Sequence, residues 1–268
     1  MRPIALMAVN VFRESVRDKV LYNLVFFAVL LIAATYLIGQ LTAGQDIKII
    51  KDLGLAATSV FGLFIAVFIG IGLVSKEVER RSIYALLAKP IERHQIVLGK
   101  YLGLVGTLAV NLSIMAAALY LVLAYMRSVA SAGTLAVLEA GALDPAMLKA
   151  IVLIFAELSM ITAIALFFST FSTPILSATL TFGLFVAGHF SGDLRNFDQV
   201  VDSPTAARLA RGLYWVLPNL APFDVKSQVV HGQHVSAGYM ALTLAYGAAY
   251  TAALLLAAMV IFSRRDFK

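Results

Sequence analysis

Apolar and polar residues alternate along this chain in long blocks. Six blocks are mostly apolar, and five of them reach the roughly 20 residues that a helix needs to cross the hydrocarbon core of a bilayer. The fourth and fifth are separated at Thr173-Pro174, where proline disfavours a helical residue before it. The pattern predicts an all-α polytopic membrane protein with six transmembrane helices. Their predicted spans are residues 20–41, 55–74, 96–125, 147–171, 173–190 and 237–262.

Residues 1–19, ahead of the first span, show a helical period with one apolar and one polar side. We predict an amphipathic helix lying in the headgroup layer, and the alternative is a plain extension of the first span. The apolar side carries Ile4, Ala8, Val11, Phe12 and Val16, and the polar side carries Asn10, Arg13, Glu14 and Arg17.

Composition agrees with the pattern. Hydrophobic residues make up 61% of the 268 residues, charged residues only 13%, and the mean hydropathy is +0.90. These values exclude a soluble single-domain enzyme. With no cysteine in the chain, disulfides, thiol catalysis and cysteine-ligated metals are excluded as well.

The net charge of +6 is unevenly distributed. Six spans place both termini and two of the connections on one side of the membrane, and that side holds 13 of the 21 lysines and arginines against six acidic residues. The positive-inside rule therefore predicts that both termini are cytoplasmic. The membrane we expect is a bacterial inner membrane. The basic excess reflects topology, and no nucleic-acid partner is expected.

The cytoplasmic connection at residues 76–96 combines a charged cluster with a short helical stretch, residues 82–89, that ends before Pro90. Ile83, Leu86 and Leu87 share one face of this stretch. An exposed apolar face suits either a docked partner protein or contact with the lipid headgroups, and the residues alone favour neither.

The connection at residues 191–236 is the longest on the other side, and we interpret it as an external segment. Ser203-Pro204 predicts the start of a helix that ends at Pro218. A lid without substrate contact is the favoured interpretation. His231 and His234 are interpreted as a solvated pair, and no metal site is predicted.

Two polar residues within spans are candidates for a translocation path. Glu157 lies in the fourth span, where a charged carboxylate is costly unless it faces the bundle interior or water. It would line a path, bind a cation or hydrogen-bond across helices. Asn111, in the third span, is a milder candidate for either a path or an interhelical hydrogen bond. Gly99, Gly103 and Gly106 form a small-residue row that predicts close helix contact.

The chain has no phosphate-binding loop and no catalytic motif, so no catalytic residue is assigned. The connection at 76–96 nevertheless resembles that of the ABC-2 type transporter permeases. The resemblance rests on Glu77-x-Glu79, the block from Ser82 to Pro90, Arg93 and Gly99-Lys100, with Arg81-Ser82 where Gly-Thr is usual. The layout looks closest to the subgroup of the permease that assists nitrous-oxide-reductase maturation.

This resemblance implies one permease domain over residues 1–268, acting as an exporter subunit and paired with a second copy in a homodimer. ATP and Mg would be bound by a separate ATPase subunit, so this chain is expected to be no enzyme and to carry no cofactor. The stretch 82–89 would be the coupling helix that docks on the ATPase. Its implied docking residues are Glu77, Arg80, Arg81, Ser82, Ile83, Leu86, Leu87, Lys89, Pro90 and Arg93.

Two other functions stay open at this point. A membrane scaffold would pass force to an external, periplasmic partner, and an ion-coupled secondary transporter would use Glu157. The transported substrate is not specified by the sequence.

Overall fold

The computed structural model describes residues 2–40, 46–79, 93–129, 141, 143–192, 212, 214 and 217–264. The described part of the chain is helical and contains no strand. Its elements are helices α1 (Arg2–Val16), α2 (Lys19–Gln40), α3 (Asp46–Glu79), α4 (Arg93–Val129), α5 (Ala146–Ser169) and α6 (Pro174–His189), a 3₁₀ turn (Ala221–Phe223), and helices α7 (Lys226–Val230) and α8 (Ala237–Arg264).

The predicted all-α membrane fold is confirmed. Within the described residues, five helices (α2, α3, α4, α5 and α8) are long and apolar enough to cross a membrane. The fifth predicted span corresponds to α6, which is apolar but has only 16 residues. At 1.5 Å per residue α6 is about 24 Å long, which is less than the roughly 30 Å hydrocarbon core.

The second predicted span begins too late. We expected it from residue 55, but α3 starts at Asp46 and its apolar stretch is Ile47–Ile71. Lys51 and Asp52 made this part look like a connection. In the fold Lys51 is fully buried, and its Nζ donates a 2.7 Å hydrogen bond to the carbonyl of Gly141. A paired lysine is thus accommodated inside the helix bundle.

Helices α3 and α5 form the centre of the bundle. About two thirds of the apolar stretch of each is buried, against 22% for α2 and α8. α5 packs against α3, α4, α6 and α8. The large hydrophobic side chains that remain exposed, such as Phe26 on α2 and Leu242 on α8, lie on the outside of the bundle, where lipid would cover them.

α1 is a separate helix, because the chain leaves the helical conformation at Arg17 and Asp18 before α2 begins. It packs along the first turns of α4, where the predicted glycine row allows close approach. A Cβ atom at Gly103 would lie 2.6 Å from the carbonyl oxygen of Ala8, and one at Gly99 would lie 2.8 Å from Cβ of Met7. The small-residue row is therefore a helix contact, as predicted.

Both ends of the described chain lie at the same face of the bundle. Val11 of α1 and Phe262 of α8 belong to one buried cluster that also contains Val97 of α4 and Leu166 of α5. We term this the terminal face and the opposite one the far face. The shared face agrees with an even number of membrane passages.

Residues 217–236, termed here the return segment, are packed into the bundle rather than lying over it. Leu220, Phe223 and Val229 are fully buried and join the main core. The 3₁₀ turn contacts α5, and α7 contacts both α3 and α5. The interpretation of this part of 191–236 as an external lid without substrate contact stays a prediction, and the structure shows that its apolar residues belong to the core. The predicted helix after Ser203-Pro204 falls almost wholly outside the described residues.

Candidate functional site

Glu157 lies near the middle of α5, 11 residues after Ala146 and 12 before Ser169. Its side chain is 1% exposed. The carboxylate is thus about 16–18 Å from either end of a membrane-spanning helix. A buried carboxylate at this depth needs a partner.

The nearest partner is His189, the last residue of α6. Its Nε2 lies 3.3 Å from Oε1 of Glu157. The short length of α6 explains this contact, because the helix ends at the depth of Glu157. The other ring nitrogen, Nδ1, lies 3.1 Å from the carbonyl oxygen of Phe185, and the imidazole packs against the Phe185 ring at 4.6 Å between centroids.

The return segment adds two charged residues to this centre. Asp224 and Lys226 form an ion pair with Nζ and Oδ1 3.4 Å apart. Both interact electrostatically with Glu157. The sequence had placed the two on the external side of the membrane, whereas the fold directs the segment that carries them inward toward Glu157. We refer to Glu157, His189, Asp224 and Lys226 as the charge centre.

Backbone hydrogen bonds fix the return segment against α6 and α8. The N–H of Leu220 donates to the carbonyl of Gly188 at 3.0 Å, next to His189 in the chain. The N–H of Asn219 donates to the Tyr246 hydroxyl at 2.8 Å, and the Ser191 hydroxyl donates to Oδ1 of Asn219 at 3.1 Å. Leu217-Pro-Asn219 therefore connects the end of α6 to α8.

A close approach at Gly188 makes this contact specific. A Cβ atom there would lie 2.8 Å from the Leu220 side chain and 2.9 Å from the carbonyl oxygen of Pro218. Only glycine allows the return segment to lie so near the end of α6.

Asn111, the second candidate for the path, is on α4 and is 6% exposed. Its Nδ2 has no hydrogen-bond partner among the described residues, so it does not bond to the Glu157 carboxylate. The two residues do share a depth. Gly62 of α3 lies against Leu112 and Leu158, the residues that follow Asn111 and Glu157.

The predicted docking residues from Arg80 to Pro90 lie outside the described residues. Glu77 belongs to α3 and Arg93 begins α4, and only their backbone is described. Their proposed roles stay predictions.

The described residues contain no group of three or more histidine, aspartate or glutamate side chains arranged to hold a metal ion. His231 and His234 are both exposed. Nδ1 of His231 lies 2.9 Å from the carbonyl oxygen of Ser227, its own helical turn.

Sequence reasoning identified Glu157 but missed His189, Asp224 and Lys226. These three are 32, 67 and 69 residues away along the chain, so no local spacing connects them to Glu157. The shortness of the apolar block after Pro174, which ends in a histidine, was the one available signal.

No curated protein sequence matches this chain significantly. A family model described as ABC-2 family transporter protein matches residues 7–267, nearly the whole chain. The match covers most of α1, the central helices and the return segment together. On this ground the chain belongs to the ABC-2 family of transporter proteins and is a multi-pass membrane protein.

Proposed function

We propose that this chain is the permease subunit of an ABC-2 exporter, working as a dimer with a separate ATPase subunit that binds ATP and Mg. The observation that carries the proposal is the family match over residues 7–267, on a chain without a phosphate-binding loop of its own. In such a system the permease supplies the path and the ATPase supplies the energy. The subgroup we propose is the one that resembles the nitrous-oxide-reductase maturation permease.

The coupling site proposed here is the connection between α3 and α4. α3 continues to Glu79, eight residues and about 12 Å beyond its apolar stretch, before the connection begins. This extension would hold the docking residues away from the bilayer, within reach of a soluble ATPase. Ile83, Leu86 and Leu87 are proposed as the apolar docking face.

A movement at this site has a direct route into the membrane domain. α4 begins at Arg93, and within its first turns Gly99 and Gly103 touch α1. Backbone contacts this close leave little room for sliding. We propose that α1 and α4 move as one unit when the ATPase pulls on the connection.

The terminal face is proposed to be cytoplasmic, in a bacterial inner membrane, because most lysines and arginines outside the spans lie in the segments assigned to it. Residues 1–268 then form a single permease domain. The far face and the return segment would be periplasmic, where a partner protein has access to them. Glu157 and Asn111 are proposed to border the translocation path.

The docking proposal is tested by the double change Leu86→Asp and Leu87→Asp, with affinity purification of the complex between this chain and its ATPase subunit. Charges on the apolar face should abolish co-purification while membrane insertion stays normal. The matched control is Ser227→Asp with Gln228→Asp, which adds the same two charges to exposed residues of the return segment. Retention of the ATPase by the Leu86/Leu87 variant would contradict the assignment.

The contact between Glu157 and His189 favours one second candidate, an ion-coupled secondary transporter. The two functions differ in their energy source. The test uses proteoliposomes that contain both subunits. If the chain is an ABC-2 permease, export should need hydrolysable ATP and should continue after an uncoupler has collapsed the proton gradient. Loss of export on uncoupling, with ATP still present, would favour the second candidate.

A further inference from the structure

The contact between Glu157 and His189 differs from an ordinary ion pair in its hydrogen bonding. Oε1 of Glu157 is buried and has no hydrogen-bond donor directed at it among the described residues, although Nε2 of His189 lies 3.3 Å away. An orphaned carboxylate oxygen beside an imidazole nitrogen raises the question of which atom carries a proton.

The contact made by Nδ1, the other ring nitrogen of His189, shows which nitrogen carries the hydrogen of the neutral ring. Nδ1 of His189 lies 3.1 Å from the carbonyl oxygen of Phe185. A carbonyl oxygen can only accept, so the hydrogen must be on Nδ1. In the neutral ring Nε2 then has no hydrogen, and its lone pair belongs to a nitrogen 3.3 Å from Oε1 of Glu157.

The carboxyl group of Glu157 and Nε2 of His189 can hold zero, one or two protons between them, and only one proton gives a favourable contact. With no proton between them, a lone pair and a buried carboxylate face each other without a hydrogen bond. With two protons, the Nε2–H of an imidazolium and the O–H of a carboxyl group would oppose each other as two donors. One shared proton gives either a carboxyl group facing an unprotonated Nε2 or an imidazolium facing a carboxylate, and in both cases one donor faces one acceptor.

We propose that Glu157 and His189 together form a binding site for a single proton in the middle of the membrane. The site is distinct from the docking connection and does not depend on the proposed ATPase coupling. His189, with its side chain 25% exposed, gives the buried carboxylate its contact with the surroundings, since Glu157 itself is 1% exposed.

The elements packed around the pair contribute other titratable or charged groups. The return segment presents Asp224 and Lys226, and both act electrostatically on Glu157. α8 carries Tyr246 and Tyr250, and the α4 residue Tyr101 directs its hydroxyl to the carbonyl of Ser159 on α5. On α3, Lys51 is bound to Gly141, and Lys149 of α5 is bound to Val235. Among the described residues, Lys226 is the cation whose charge acts on Glu157.

Loss of the shared proton leaves the pair with one negative charge. Lys226, which holds Asp224 at 3.4 Å, is the cation placed to compensate that charge. Proton release thus draws Lys226 toward Glu157 and tightens the return segment on the bundle. The site couples the proton occupancy of the membrane centre to the position of a segment at the far face.

The test uses the full chain in lipid nanodiscs and the proton as the ligand. At neutral pH, infrared spectroscopy reports the C=O stretch of a protonated carboxyl group, and ¹⁵N resonances of labelled histidine report an imidazolium. The proposal expects one of these two signals from the pair, and Glu157→Gln and His189→Gln should each abolish it. Absence of both signals, or presence of both, overturns the proposal.

Two further variants make the test specific. His231→Gln removes an exposed histidine whose Nδ1 is bound in the same way to a carbonyl oxygen, and it should leave the signal unchanged. Lys226→Gln removes the compensating cation, so amide hydrogen exchange over the return segment should no longer differ between the protonated and the deprotonated pair. A difference in exchange that persists in Lys226→Gln overturns the proposed link to the return segment, and this exchange remains measurable if Glu157→Gln fails to fold.

Discussion

Lys149 donates a 2.8 Å hydrogen bond from Nζ to the backbone carbonyl of Val235. The bond joins the far-face end of α5 to the last turn of the return segment, just before α8 begins. Lys51 makes the equivalent contact from α3, with Nζ 2.7 Å from the carbonyl of Gly141. Two lysines near the far face thus each hold a connecting segment by a backbone oxygen.

Replacing Lys149 by methionine should loosen the return segment. Methionine keeps the apolar stem but removes the donor, and it leaves the carbonyl of Val235, a residue only 3% exposed, without its partner. The cost should be about 1–3 kcal/mol. Amide hydrogen exchange over residues 226–236 should accelerate. Arg127→Met, a change of an exposed cation at the far end of α4, is the control, and equal exchange in both variants would refute the prediction.

Gly188→Ala should destabilise the protein, whereas Gly183→Ala on the same helix should not. The added methyl group at Gly188 would collide with Leu220 and the carbonyl oxygen of Pro218, while nothing lies within 4 Å of the equivalent position at Gly183. Overpacking costs about 1–3 kcal/mol, and replacing a helical glycine by alanine gains up to about 1 kcal/mol. Thermal unfolding in detergent should therefore show shifts of opposite sign. A shift of the same sign would mean that the return segment does not press on α6.

Gly103→Ala should separate α1 from α4. The new methyl group would lie 2.6 Å from a backbone oxygen of α1, whereas at Gly106 the nearest atom is a Phe12 ring carbon at 3.6 Å, an ordinary contact. Because the chain lacks cysteine, Ser15→Cys introduces a single thiol at a position that is 5% exposed. Maleimide labelling of that thiol should be faster with Gly103→Ala and unchanged with Gly106→Ala. Equal labelling in the two backgrounds would show that α1 does not depend on the glycine contact.

Asn111→Leu should stabilise the fold and impair its activity. The buried Nδ2 has no hydrogen-bond partner among the described residues, so removing it relieves a desolvation cost of about 1–3 kcal/mol. If Asn111 borders the path, as proposed, the ATPase rate of the reconstituted complex should lose its response to substrate. Ser113→Ala on the same helix, whose hydroxyl is bonded to the Ala109 carbonyl, serves as the control. Higher stability with unchanged activity would remove Asn111 from the path.

The membrane fold could be predicted from the sequence because the hydrophobic pattern acts locally. An apolar run of about 20 residues must become a helix in lipid, where each backbone polar group needs a partner within the same segment. The same local reasoning gave the separate amphipathic character of residues 1–19 and the close packing at Gly99 and Gly103. Local reasoning failed at residues 46–54, because a hydropathy value treats Lys51 as exposed. The value does not include the hydrogen bond that Lys51 donates to the carbonyl of Gly141.

The charge centre lay beyond such reasoning. The sequence by itself determined that this chain spans a membrane and that Glu157 is an acid within a span, and it predicted how the charges are divided between the two sides. Only the tertiary structure decided that α6 ends beside Glu157 and that the return segment brings Asp224 and Lys226 toward it. The physical reason is that hydrophobicity is a property of each segment, whereas pairing of buried charges depends on which distant segments pack together.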